Sequence, residues 1–223
     1  EFNDTCEQLV GNAHIPLALR YFGGAGKSHM DKYGTTMKDF AKIRAKASRH
    51  ASKNPLALFK KEVSEEEVLN SPIMWPGVMT RLMACPPTCG GAAAILVSEK
   101  FAKKHNIDAS VKILAQSMTT DYESTFAEKD MMQLVGYDMT KEAARDVYSQ
   151  TGVDVQDVDV VELHDCFAHN ELITYEALGL CEEGEAQKFV HDGNNTFGGK
   201  FVTNPSGGLL SKGHPLGATG LAQ

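Results

Sequence analysis

No apolar run in this 223-residue chain approaches the ~18 residues needed to cross a bilayer. The N-terminal Glu1-Phe2-Asn3-Asp4 also lacks the basic-then-apolar build of a secretory signal. The chain therefore reads as soluble. Positive charge is in short supply, with 22 Lys+Arg against 29 Asp+Glu and a formal net charge of −7. Phosphate backbones need a dense positive surface, which excludes nucleic acid as the main partner. The five cysteines (Cys6, Cys85, Cys89, Cys166, Cys181) are odd in number and scattered. That is unlike the even, dense framework of a small secreted domain and favours a reducing, intracellular compartment. Internal repeats and low-complexity segments are missing too. What is present is ordinary globular material: 42% hydrophobic and 8% aromatic residues in a length that suits one large α/β domain, two small ones, or a portion of something larger.

Between Thr36 and Asn54, Met37, Phe40, Ile43, Ala47 and Ala51 recur at helical spacing, and Thr36 with Asp39 resembles a capping box. The other face carries Lys38, Lys42, Arg44, Lys46, Arg49 and Lys53. It reads either as a solvated surface or as a docking face for a phosphate-bearing ligand. A proline-marked stretch follows, broken by a short helix over Ser64–Asn70 with Ser64 and Glu67 as a second capping pattern. The apolar run Ala92–Val97 suits a buried strand, Ser98–His105 a helix, and the alternation of Val111, Ile113 and Ala115 a second strand. A helix over Thr140–Gln150 is closed by Gly152, a strand over Val158–Leu163 feeds His164-Asp165-Cys166-Phe167, and a further helix runs to Leu178 and Gly179. Strand alternating with helix predicts an α/β sheet.

The tail from Asn204 to Gly220 is crowded with glycine, which suits backbone lying close to a ligand. Within it His214 stands between Gly213 and Pro215, held by a local backbone of restricted freedom. An imidazole there can exchange protons near neutral pH or donate a hydrogen bond to developing negative charge.

This tail, Asn204-x-x-Gly-Gly-x-x-x-x-Gly-His-Pro-x-Gly-x-x-Gly, resembles the signature loop of the thiolases, which make or cleave the carbon–carbon bond of 3-ketoacyl-CoA. His164-Asp165-Cys166-Phe167 is similar to the variant of sterol carrier protein X-type thiolases, where commoner members have Asn-Glu-Ala-Phe. Phe22–Gly34 with Phe40-Ala41 resembles the segment opening the thiolase loop domain, and Cys85–Ala94 the segment returning to the core sheet. The resemblance implies a thiolase-like α/β fold, with a mixed sheet covered by helices plus a loop domain. Residues 1–91 would hold the loop domain and the end of the N-terminal half, and residues 92–223 the return strand and most of the C-terminal half. It further implies that His214 activates the nucleophile and donates to the oxyanion. His164 would take the place of the family's Asn at the thioester oxygen, while Cys166, Phe167, Gly213 and Phe22 line the substrate site. CoA and acyl-CoA enter as substrates, with no separate cofactor and no metal. Family members are commonly dimers or tetramers and often peroxisomal.

Two departures bear on activity. The family's nucleophilic cysteine sits in an Asn-x-x-Cys-x-(Ser/Thr)-Gly-like turn that does not occur here, and Cys89 aligns instead with the return segment. The chain also stops at Gln223, where the family continues into the strand bearing its second acid/base. The expectation is an internal portion of a thiolase that performs no thiolysis by itself. The alternatives are a thiolase-like steroid side-chain aldolase and a non-catalytic product that binds CoA or dimerises. Cys85 with Cys89, or His164 with Cys166 and His169, could suggest a metal, but each set lacks the ligands of a closed site.

Overall fold

A computed structural model describes residues 1–11 and 14–223. Its helices, in chain order, are α1 Phe2–Val10, α2 Leu17–Tyr33, α3 Met37–Ser52, α4 Glu65–Leu69, α5 Glu99–His105 and α6 Glu123–Ala127. They continue as α7 Met131–Leu134, α8 Tyr137–Thr151, α9 Ala168–Ala177, α10 Ala186–His191, α11 Gly208–Ser211 and α12 Thr219–Ala222. Strands β1 Ile73–Trp75 and β2 Met79–Thr80 pair antiparallel, and β3 Val160–Val161 and β4 Val202–Thr203 pair parallel. None of these helices is long and apolar enough to span a membrane.

The helices follow local signals in the sequence. The Thr36 N–H donates to Asp39 Oδ2 at 2.7 Å, and the Ser64 N–H to Glu67 Oε2 at 2.7 Å, so both capping patterns satisfy donors that a helix start leaves open. Helix α8 stops at Gly152, whose φ of 67° is a left-handed conformation that any Cβ would oppose. Phe40 and Ile43 of α3, Leu172 and Tyr175 of α9, and Leu209 and Leu210 of α11 are buried together in the main core. Each large side chain so buried contributes roughly 1.5–3 kcal/mol relative to exposure. The Phe22–Gly34 segment lies almost wholly in one continuous helix, α2. Its Gly26 lies so close to α9 that a Cβ there would come within 2.3 Å of the His169 ring.

Two expectations need correction. The basic face of α3 is neither a solvated surface nor a phosphate dock as a whole, because Arg44 and Lys46 are 3% and 1% exposed. Helices α4, α9, α10 and α11 all pack on α3 and leave it little solvent-facing surface. Lys46 Nζ bonds the Glu171 carboxylate and donates to Thr203 Oγ1 at 2.9 Å and the Thr203 carbonyl at 3.2 Å. The Tyr175 hydroxyl also donates to Glu171, and Asn195 Nδ2 donates to that hydroxyl at 3.0 Å.

The second correction concerns the sheet. The runs Ala92–Val97 and Val111–Gln116 are not strands, and Ile95 and Val111 are 91% and 92% exposed. A strand needs a hydrogen-bonding neighbour and a face to bury, and no described residue supplies either to these runs. The α/β character therefore rests on two small two-stranded sheets among helices, with the expected Val158–Leu163 strand reduced to Val160–Val161.

Candidate active site

Three segments distant in sequence converge where β3 ends. The Asn204 N–H donates to the Val161 carbonyl at 2.7 Å, and Asn204 Oδ1 accepts the Leu163 N–H at 2.8 Å, clamping the glycine-rich tail to the strand end. Asp165, wholly buried, accepts the Leu209 N–H at 2.7 Å and the Leu210 N–H at 3.4 Å at the start of α11. A Cβ at Gly208 would sit 2.1 Å from Asp165 Oδ2, so only glycine lets the carboxyl approach this closely. Burial, with the Glu171 charge adding, pushes the Asp165 carboxyl up to about 7. The third segment arrives through Thr88, whose Oγ1 accepts the His214 N–H at 2.7 Å.

These ties set the two histidines against each other. The rings of His164 and His214 meet edge to face, with centroids 5.0 Å apart and planes at 85°. His214 is buried, behind Gly213 at φ 115°, while His164 lies at the surface. His214 Nδ1 lies 2.8 Å from Thr219 Oγ1, and that hydroxyl donates its one hydrogen to the Pro215 carbonyl at 3.0 Å. The hydroxyl must therefore accept from Nδ1–H, which leaves the His214 Nε2 lone pair free to take a proton. Burial, then the Lys212 charge, lowers the His214 pKa. Burial, then the neighbouring His214, lowers that of His164. Both rings are thereby held toward the neutral form, in which an imidazole offers one acceptor and one donor nitrogen.

The remaining expected site residues divide. Phe167 stacks on Phe22 of α2, centroids 5.0 Å apart at 22°. Phe22 borders a cleft of about 470 Å³ with Tyr21, Leu134 and Met139, a cleft that neither histidine lines. His164 and Cys166 do not emerge on one side: the strand ends at Val161, and Cys166 turns inward to 4% exposure. There its carbonyl accepts the Cys85 N–H at 2.9 Å. Burial raises the Cys85 thiol to about 11 and the Cys166 thiol further, so both stay protonated at neutral pH and neither is a ready nucleophile. Cys89 is exposed, in a cleft of about 340 Å³ shared with Thr88, Lys212, Gly213 and Pro215. His169 is buried, with Nε2 at 3.0 Å from the Val78 carbonyl, and belongs to the core. Thr88, Thr219 and the tethering role of Asp165 were not singled out from the sequence. The hydroxyl five residues past His214 was the one local clue.

A glycine-built loop thus holds a tethered histidine against the His164–Phe167 segment, and comparison with known proteins shows what the chain is similar to. Residues 120–223 belong to the family described as "Thiolase C-terminal domain-like". The chain is also similar to sterol carrier protein 2. It is 56% identical to "Sterol carrier protein 2" of Bos taurus over 214 residues, which cover 96% of this chain and 39% of that protein. It is 42% identical to "Benzoylsuccinyl-CoA thiolase subunit BbsB" of Thauera aromatica over 214 residues, 96% of this chain and 54% of that one. Among solved structures, "Ltp2-ChsH2(DUF35) aldolase" matches with a TM-score of 0.76 at 21% identity, covering 99% of this chain and 58% of that one; it shows the fold. The chain spans about 39% of the length of the sterol carrier protein 2 relative.

Proposed function

We propose that this chain is the part of a 3-ketoacyl-CoA thiolase that carries the acid/base histidine and the oxyanion donors. The parent protein would catalyse thiolytic cleavage, or the reverse Claisen condensation, of acyl-CoA thioesters in lipid metabolism. The observation that carries this reading is the 5.0 Å edge-to-face pair of His164 and His214, with Nδ1 of His214 occupied by Thr219.

In this reaction a cysteine thiol gives its proton to His214 Nε2, and the thiolate attacks the 3-keto carbon. The C2–C3 bond breaks, the acyl group stays on sulfur, and acetyl-CoA leaves after the second acid/base gives its proton to the carbanion. The second acid/base takes the proton of the incoming CoA thiol, the CoA thiolate displaces the cysteine, and the expelled cysteine thiolate takes its proton back from His214, which restores the enzyme and releases the shortened acyl-CoA. Negative charge on the carbonyl oxygen is held by an N–H of His164 and by the Nε2–H of His214 once that nitrogen has taken the thiol proton; loss of one such donor typically costs ~10²–10³ in rate. The nucleophile and the second acid/base belong to polypeptide outside these 223 residues. Phe22 and Phe167 would flank the pantetheine or acyl chain. The resemblance also supports a dimeric or tetrameric parent in the peroxisome.

The test is CoA-dependent loss of acetoacetyl-CoA. The full-length protein is expected to turn it over, His214→Ala to lose at least about 10²-fold in kcat, and the 223-residue chain by itself to show none. Wild-type rates in the His214 variant would remove the proposal. A thiolase-like steroid side-chain aldolase is the second reading, favoured by the fold shared with the aldolase neighbour. It requires carbon–carbon cleavage that proceeds without a CoA thiol.

A further inference from the structure

Behind the Cys85-Pro86-Pro87 segment lies a second cleft, of about 320 Å³, that includes neither histidine. Its walls are apolar except for two guanidinium groups, Arg44 at the base and Arg81, an exposed residue, at the rim. Arg44 is 3% exposed, and its only hydrogen bond among the described residues runs from Nη1 to Ser211 Oγ at 2.8 Å. Its Nε has no partner, and no carboxylate among the described residues lies within ion-pair distance of it. The nearest acid it senses, Asp165, is already spent on the Leu209 and Leu210 N–H groups. Burial lowers Arg44 to about 10, which still leaves it charged at neutral pH. Lys46, two residues on and on the other side of α3, shows the ordinary solution, a buried cation matched to the buried Glu171. An unmatched buried charge is costly unless an anion completes it.

We propose that this cleft binds an aliphatic carboxylate, with the headgroup on Arg44 and Arg81 and the chain along Leu19, Phe59, Met74 and Leu82. The charge of the base selects the anion, and the apolar walls select the chain. The volume lies at the small end of the roughly 300–1,000 Å³ of ligand sites, which favours a medium-length chain. The proposal does not depend on the thiolase reading, because the cleft excludes His164 and His214.

Calorimetric titration of the protein with octanoate, octanol and acetate tests it. Octanoate is expected to bind about tenfold more tightly than either comparator, since a charge-assisted bond and chain burial act together. Arg81→Gln should narrow the octanoate-to-octanol ratio by several-fold. Arg44→Met should abolish that ratio while raising the thermal midpoint of the unliganded protein, because an unmatched buried charge disappears. His214→Ala should leave octanoate binding intact, which separates this site from the acyl-transfer chemistry. Octanol binding as tightly as octanoate would overturn the proposal, as would acetate matching octanoate. So would an unchanged ratio in Arg44→Met or, should that variant not fold, in Arg81→Gln.

Discussion

Thr219 has one hydroxyl hydrogen, and its donation to the Pro215 carbonyl decides which nitrogen of His214 carries a proton. Thr219→Val removes that decision without touching the reacting atoms. It should lower kcat about tenfold with KM nearly constant, and nitrogen-15 spectra should show His214 changing from the Nδ1–H form to a mixture. An unchanged tautomer would mean that the hydroxyl has no positioning role. His164→Asn substitutes the residue of commoner thiolases and should retain more activity than His164→Ala, measured as acetoacetyl-CoA thiolysis. His214 stood out in the sequence because of the thiolase-like glycine motif around it, and the structure places its ring against that of His164. Thr88 did not, since it reaches His214 across 126 positions, and neither did the bond of Asp165 to Leu209, which spans 44.

At the scale of elements, α3, α9 and α11 form one unit around buried polar groups. Lys46→Met leaves the Glu171 carboxylate buried without its cation, and should cost about 3–5 kcal/mol in chemical denaturation. Gly208→Ala forces a Cβ into Asp165, separates the tail from the strand end, and should lower both the melting temperature and activity. The helices were readable because capping boxes and spacing act within a few residues: the expected Ser98–His105 helix appears as Glu99–His105, with the Phe101 N–H on Ser98 Oγ at 3.2 Å. The burial of Arg44 and Lys46 was not readable, because amphipathic patterning assigns cations to solvent and says nothing of how many neighbours surround a helix. Ala92–Val97 and Val111–Gln116 have strand-like text, but pairing is non-local and text alone does not supply the partner.

For the whole molecule, two opposed titrations shape stability. His50 and His169 are both lowered from 6.5 to about 4, chiefly by burial, so the unfolded chain binds protons that the fold refuses. The stability they contribute is full above about 6.5 and is lost as pH falls toward 4. Asp165 acts in the other sense: raised from 3.8 to about 7, it contributes fully at low pH and loses that contribution as pH rises through 7. Both windows lie between about pH 4 and 7, so the two effects oppose each other there: Asp165→Asn should steepen the fall of the denaturation midpoint on acidification, and His169→Gln should flatten it. The exposed apolar side chains of Ile95, Leu96, Val111, Leu114 and Met118 form a separate liability. The 223-residue chain should self-associate in light scattering, and Ile95→Ser with Val111→Ser should reduce that. The central claim, that His164 and His214 serve one carbonyl, is tested most directly by a double-mutant cycle on kcat/KM for acetoacetyl-CoA thiolysis in the full-length protein. With rings 5.0 Å apart acting on one oxygen, the account predicts that His164→Ala adds little once His214 is already Ala. Losses that simply multiply would show that the two rings act independently and would contradict it.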